Sequence, residues 1–328
     1  MEADSSILED TVRKQITLDG VDLRLVFGRN DVHLKIIEDQ FNARIVARGS
    51  EISIEGDSQE VDRVISLFND LSTYLSRNFE LPERYLWYAI TMIKENGEGP
   101  AESLDAETVI STLSQEPVAP KTLGQKRYTS AVAKHDIVFC IGPAGTGKTY
   151  LAVALAAAEL KRKSVQRIIL TRPAVEAGES LGFLPGDIRA KVDPYLRPVY
   201  DALHDLVEPE KTKKLMELGI IEIVPLAFMR GRTLNNSFVI LDEAQNTTTA
   251  QMKMFLTRLG LNSRAIITGD VTQIDLDKSK LSGLITAERI LKGISGVKFV
   301  HLDEKDVVRH HLVMEVIKAY ERHEKRRK

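Results

Sequence analysis

The chain has 328 residues, 43% of them apolar and 28% charged, and a formal net charge of −2 at pH 7. That length has room for two domains, and the near-neutral balance excludes a molecule that binds nucleic acid with its whole surface; any such contact has to be local. One cysteine, Cys140, excludes an internal disulfide framework and a cysteine-based zinc site; within the apolar run IVFC it reads as a core residue. The N-terminus MEADSSILED is acidic and polar, and no apolar run approaches the ~18 residues of a membrane span. Neither a secretory signal nor a membrane helix is expected, and the cytoplasm is the expected location.

Residues 12–94 read as a small α+β domain. VDLRLVFG (21–28) has strand periodicity, and NDVHLKIIEDQFN (30–42) has helical spacing with Leu34, Ile37 and Phe41 on one face. ARIVARG and EISIEG read as two strands around the turn Gly49-Ser50. VDRVISLFNDLSTYL (61–75) reads as an amphipathic helix, with a further helix near 82–95. Residues 95–119 carry the Gly, Pro, Ser and acidic composition of an interdomain linker, with a short helical segment inside. Residues 120–328 form the second domain. Its apolar runs DIVFCIG, QRIILTRP, IIEIVPL, SFVILDEA, RAIITGD and VKFVHL alternate with helical segments, the pattern of a parallel sheet covered on both faces. The basic end ERHEKRRK reads as a solvated helix end or as a nucleic-acid contact.

GPAGTGKT, Gly142–Thr149, satisfies the whole G-x-x-x-x-G-K-[ST] pattern, between the apolar strand DIVFCI and the helix YLAVALAAAELKRK. Gly142, Gly145 and Gly147 let the backbone wrap an anion, with Pro143, Ala144 and Thr146 completing the loop and Tyr150 following it. The next helix adds its positive N-terminal end. Lys148 supplies charge for the β- and γ-phosphates of ATP, and the Thr149 hydroxyl suits Mg²⁺. In SFVILDEAQ an apolar strand delivers Asp242 to its C-terminal end, where it suits the Mg²⁺ shell. Glu243 beside it is placed to orient and deprotonate an attacking water. RAIITGDVTQIDL delivers Gln273 just past another strand end, as a γ-phosphate or water sensor or as a surface residue. Gln125 lies 17 residues before the loop and can pair with an adenine edge, with Tyr128 able to stack; either can also be a packing residue.

Together these residues resemble the PhoH-like ATPases, a bacterial family in the helicase-like branch of P-loop proteins. The resemblance rests on long strings over nearly the whole chain: TRPAVEAGESLGFLPGDIRAKVDPYLRPVYDAL (171–203), PLAFMRGRTLNNSFVILDEAQN (225–246), ITGDVTQIDL (267–276) and DVVRHHLV (306–313). It implies a RecA-like, superfamily 1 helicase-like α/β core with a parallel sheet, preceded by a KH-like α+β domain. It also implies Mg²⁺-ATP at Gly142–Thr149, a metal and catalytic pair in Asp242 and Glu243, a γ-phosphate sensor in Gln273 and an adenine reader in Gln125. Thr171 and Arg172 fall where such helicases contact nucleic acid, and they equally suit a surface loop. The KH loop G-x-x-G reads Gly28-Arg29-Asn30-Asp31 here, with an acid in place of the second glycine.

Residues 120–328 are enough for one motor domain, whereas a superfamily 1 helicase splits ATP between two. The missing cation then comes from a neighbouring subunit, with Arg309, Arg230 and Arg232 as candidates. A homo-oligomeric ring, by preference hexameric, is the expected assembly. His310 and His311 have no matching acid or thiol cluster for a metal. The leading functional expectation is an RNA-linked ATPase or helicase in ribosomal RNA maturation, with an endoribonuclease as the partner the family implies. A nucleotide-gated adaptor that docks a protein partner is the alternative, and a phosphotransferase the third reading.

Overall fold

Alternating exposure marks the first strand, β1 (Thr11–Thr17), whose Ile16 packs against the core of the first unit. It pairs antiparallel with β3 (Glu51–Asp57), which pairs with β2 (Ala43–Arg48), giving the order β1-β3-β2. The computed structural model describes residues 11–104 apart from Asp19 and Phe79, then 110, 112, 113, 118–173, 188–277, 280–307 and 316. The chain divides into two compact units, with the boundary between Ala106 and Glu107, inside the expected linker. Ala101 is buried in the first core and Ile110 in the second, so both ends of that linker are claimed by packing.

The expected strand over 21–28 is a helix instead. α1 (Leu23–Phe27) starts at Asp22, whose carboxylate accepts from the Arg24 N–H at 3.0 Å, and closes at Gly28 with φ 73°. Leu23, Val26 and Phe27 satisfy i, i+3, i+4 spacing while Val21, Leu23, Leu25 and Phe27 satisfy alternation, and a segment this short cannot separate the two periods. The cap and the left-handed glycine decide it. Gly28–Asp31 then joins α1 to α2 (Val32–Gln40), with Asn30 and Asp31 both left-handed at φ 56° and 57°. α2 buries Ile37 and leads to buried Phe41. α3 (Ser58–Arg77) starts at Asp57, which accepts from Gln59 N–H, and α4 (Glu83–Asn96) ends at left-handed Gly97. The first unit is therefore α+β, as expected, with its helices alongside a three-stranded antiparallel sheet.

The second unit contains all six expected strands in one parallel sheet of order β6-β5-β7-β8-β4-β9. They are β4 (Ile137–Ile141), β5 (Arg167–Arg172), β6 (Ile221–Pro225), β7 (Ser237–Leu241), β8 (Arg264–Gly269) and β9 (Val297–His301). Helices α5 (Leu123–Lys134), α6 (Lys148–Lys161), α7 (Ile188–Leu206), α8 (Pro209–Glu217), α9 (Thr249–Leu256) and α10 (Gly283–Leu291) complete the unit. Separate apolar clusters form around the strands, one containing Val138, Cys140 and Ile240, the other Phe139, Val239 and Ile267. Consecutive strand residues thus feed opposite faces, which is why the runs are apolar throughout. The alanine-rich α6 lies in the first cluster, its small side chains allowing close approach to the sheet. Register brings the carboxyl ends together: Ile141 faces Gly269 across β4–β8, and Thr171 faces Leu241 across β5–β7. β4 hands the chain through α6 to β5, which lies beyond β8 and β7, so the crevice where ligands bind opens above these strand ends.

In the first unit the buried Asp70 accepts from the Tyr85 hydroxyl and the Ala101 N–H, both at 2.7 Å. Burial raises its carboxyl, so the folded unit holds the proton more tightly than the unfolded chain. Stability of this unit is therefore expected to fall as pH rises through the raised value, and Asp70→Asn to remove that slope, as read by urea unfolding across the carboxylate range. Tyr85→Phe leaves one buried oxygen without its donor and is expected to cost about 1–3 kcal/mol in the same measurement.

Candidate functional site

The chain folds into a nucleotide-loop geometry for local reasons. Gly145 and Gly147 take φ 85° and 76°, a conformation that side chains rarely adopt. A Cβ on Gly142 would lie 2.5 Å from the Leu302 carbonyl oxygen, and the Gly142 N–H donates to the Gly269 carbonyl at 3.0 Å. The Thr146 hydroxyl donates to the Pro143 carbonyl at 2.9 Å and closes the loop on itself. Lys148 is nearly buried, and its ammonium donates to the carbonyls of Gly142 and Pro143 at 2.7 and 2.8 Å. Burial lowers its pKa, opposed by the carboxylates of Asp270, Asp242 and Glu243 around it. An incoming phosphate restores what burial removes.

Asp242 joins three elements. Its backbone N–H donates to the Thr171 carbonyl at 2.9 Å, and its Oδ1 accepts from Thr149 at 2.8 Å and from Thr268 at 2.6 Å. Thr149 and Asp242 therefore stand together at the cavity as hard oxygen donors, the set that Mg²⁺ takes alongside phosphate and water. The residues present fit that ion. Among the described residues no group of three or more His, Cys, Asp or Glu is arranged to hold a metal ion by itself.

Glu243 has φ 53°, a left-handed conformation costing a non-glycine residue ~1 kcal/mol or more. Its Oε1 lies 3.3 Å from Arg172, and its Oε2 accepts from the Gln245 amide at 2.5 Å. Gln273 donates to Asp270 at 2.8 Å through its side chain. A cavity of about 260 Å³ is lined by the loop, Lys148, Thr149, Tyr150, Asp242, Glu243, Asp270 and Gln273. The structure thus gathers Gly145, Gly147, Lys148, Thr149, Tyr150, Asp242, Glu243 and Gln273 around one space.

Other expected residues lie elsewhere. Gln125 is buried with both ends of its amide engaged: it accepts from the Lys121 N–H at 2.7 Å and donates to the Thr146 carbonyl at 3.0 Å. It braces the loop here. Tyr128 is fully buried with its hydroxyl toward the Lys148 carbonyl, so it packs in the core and has no face for a base. Arg232 is held by Glu222 in a two-point ion pair at 2.8 and 2.6 Å, whereas Arg230 is exposed. Arg309, His310, His311, the segment 174–187 and the basic tail lie outside the described residues. Residue-by-residue reading missed Thr268, Gln245 and Asp306. Thr268 lies within the strand-end run ITG and Gln245 directly follows LDEA, so both are polar residues at strand ends. Asp306 is buried and accepts from the Thr122 hydroxyl at 2.5 Å, a contact between residues 184 apart that no local pattern encodes.

Because Thr268 orients the carboxylate assigned to the metal, Thr268→Val is expected to raise the Mg²⁺ concentration for half-maximal nucleotide turnover about tenfold. Nucleotide affinity in EDTA should stay unchanged, as checked by titration with a fluorescent ATP analogue.

The profile of the family described as PhoH-like protein matches residues 117–321. A PhoH-like protein of Bacillus subtilis is 53% identical over 297 residues, covering 90% of this chain and 93% of that one. A PhoH-like protein of Synechocystis is 48% identical over 297 residues, covering 90% of each chain. Protein PhoH of Escherichia coli is 46% identical over 206 residues, 62% of this chain and 58% of that one. With the phosphate loop, the strand-end Asp-Glu pair and the parallel sheet in place, this chain belongs to the PhoH-like protein family.

Proposed function

We propose that this chain hydrolyses Mg²⁺-ATP and that turnover is coupled to RNA in a homo-oligomeric ring. The observation that carries the hydrolytic reading is the Thr149–Asp242 contact at 2.8 Å, with Glu243 next in sequence facing the same cavity. Lys148 and the loop N–H groups would hold the phosphates, and Thr149 and Asp242 the metal, which when bound neutralises phosphate charge. Glu243 would take the proton of the attacking water, which favours hydrolysis over a phosphotransferase that must exclude water.

Lys148 is the one cation among the described residues lining the cavity, since Arg172 is paired with Glu243 beside it. Charge developing on the transferring phosphoryl group calls for a second cation, and this supports an arginine supplied by a neighbouring subunit. Arg309 and the exposed Arg230 are the candidates; Arg232 is already spent on Glu222. The RNA reading, with ribosomal RNA maturation and an endoribonuclease as its setting, rests on family membership and on the KH-like unit. Asp31, an acid held left-handed where the KH loop has its second glycine, favours the alternative that this unit docks a protein partner under nucleotide control. Among the described residues no helix is long and apolar enough to cross a membrane.

Glu243→Gln should lower ATP turnover by about 100-fold or more while leaving ATP binding intact. Saturating single-stranded RNA should raise the wild-type rate. An unchanged rate with RNA, together with no strand separation, would turn the account to the adaptor reading, in which partner capture differs between ATP and ADP.

A further inference from the structure

Gln245 is 1% exposed, and all of its amide is used inside the site. Its Nε2 donates to Glu243 Oε2 at 2.5 Å and to the backbone carbonyl of Gln273 at 3.2 Å. Its Oε1 accepts from the backbone N–H of Asp270 at 3.0 Å. The side chain passes close over Gly269, where a Cβ would lie 3.0 Å from Oε1, so the glycine leaves room for this crossing. One buried amide therefore ties the end of β7 to both ends of the turn that follows β8. That turn is stiff: Asp270 accepts from the Thr272 N–H at 2.9 Å and from the Gln273 side chain at 2.8 Å.

Glu243 has little else to fix it. Its backbone is in a costly conformation, its side chain is one-third exposed, and its other oxygen faces Arg172 at a longer 3.3 Å. A carboxylate so placed needs a rigid donor to hold one oxygen if the other is to face a water reproducibly. We propose that Gln245 is a positioning residue that locks Glu243 to the Asp270–Gln273 turn, so that nucleotide contacts at this turn and the placement of the catalytic carboxylate move as one. The inference rests on the proposed role of Glu243 in hydrolysis. Gln245 is not among the residues that line the cavity, so its loss should act on the chemical step and spare nucleotide binding.

Two substitutions in the full chain test it. Gln245→Met keeps length and packing over Gly269 but removes every hydrogen bond, whereas Gln245→Glu keeps an acceptor for the Asp270 N–H and removes the donors. Both should lower kcat for ATP about tenfold or more, with KM and the Kd of a fluorescent ATP analogue unchanged, when assayed well below the unfolding temperature of each variant. An unchanged kcat in either soluble variant overturns the proposal. So does a parallel loss of kcat, nucleotide affinity and unfolding temperature, which marks a purely structural residue. Glu243→Gln run alongside separates the two levels. If it turns over normally, the reading of the site itself fails; if it is inactive while Gln245→Met is fully active, only the positioning role fails.

Discussion

A single carboxylate oxygen, Asp242 Oδ1, accepts from Thr149 at the head of α6 and from Thr268 near the end of β8. Three segments far apart in sequence meet at that atom: the strand that carries the acid, the helix that follows the phosphate loop, and the neighbouring strand. Charge-assisted hydrogen bonds of this kind are each worth roughly 1.5–3 kcal/mol, and in a nearly buried setting they fix direction as well as distance. Everything the cavity does depends on that alignment. Thr149 and Asp242 are held together by the protein's own hydrogen bonds, which lowers the ordering cost of taking up a ligand.

The rest of the site suits an anion. Lys148 sits nearly buried on the carbonyls of its own loop, where desolvation lowers its pKa and the nearby Asp270, Asp242 and Glu243 carboxylates oppose that, so a phosphate at the loop would favour its charged form further. The loop is braced from behind. Asp306 accepts from Thr122, the Thr122 hydroxyl accepts from the Gln125 N–H, and Gln125 donates to the Thr146 carbonyl. This chain of contacts connects the segment after β9 to the phosphate loop through α5. It gives Gln125 a structural task that stands apart from reading a base.

Much of this was legible in the sequence because the signals are local. Six apolar runs became six parallel strands, and GPAGTGKT and LDEA fell at strand ends. A glycine-rich turn and an acid after an apolar run carry their own geometry. Misreadings came where two periods fit equally well, as in VDLRLVFG, where Asp22 and Gly28 cap a helix that alternation alone would make a strand. Tyr128 looked available to a base because aromatic character is visible in sequence and burial is not. Gln245 escaped because its role is set by Gly269, Asp270 and Gln273, which only the pairing of β7 with β8 brings beside it.

The central claim is that Lys148, Thr149 and Asp242 form a preassembled Mg²⁺-nucleotide site. Its most direct test is equilibrium titration of ATP onto the full chain and its Lys148→Ala variant, with Mg²⁺ and with EDTA. The account predicts saturable, Mg²⁺-strengthened binding by the wild type and a loss of about 100-fold or more in the variant, the equivalent of roughly 3 kcal/mol. Equal affinity of the two proteins for ATP, indifferent to Mg²⁺, would contradict it.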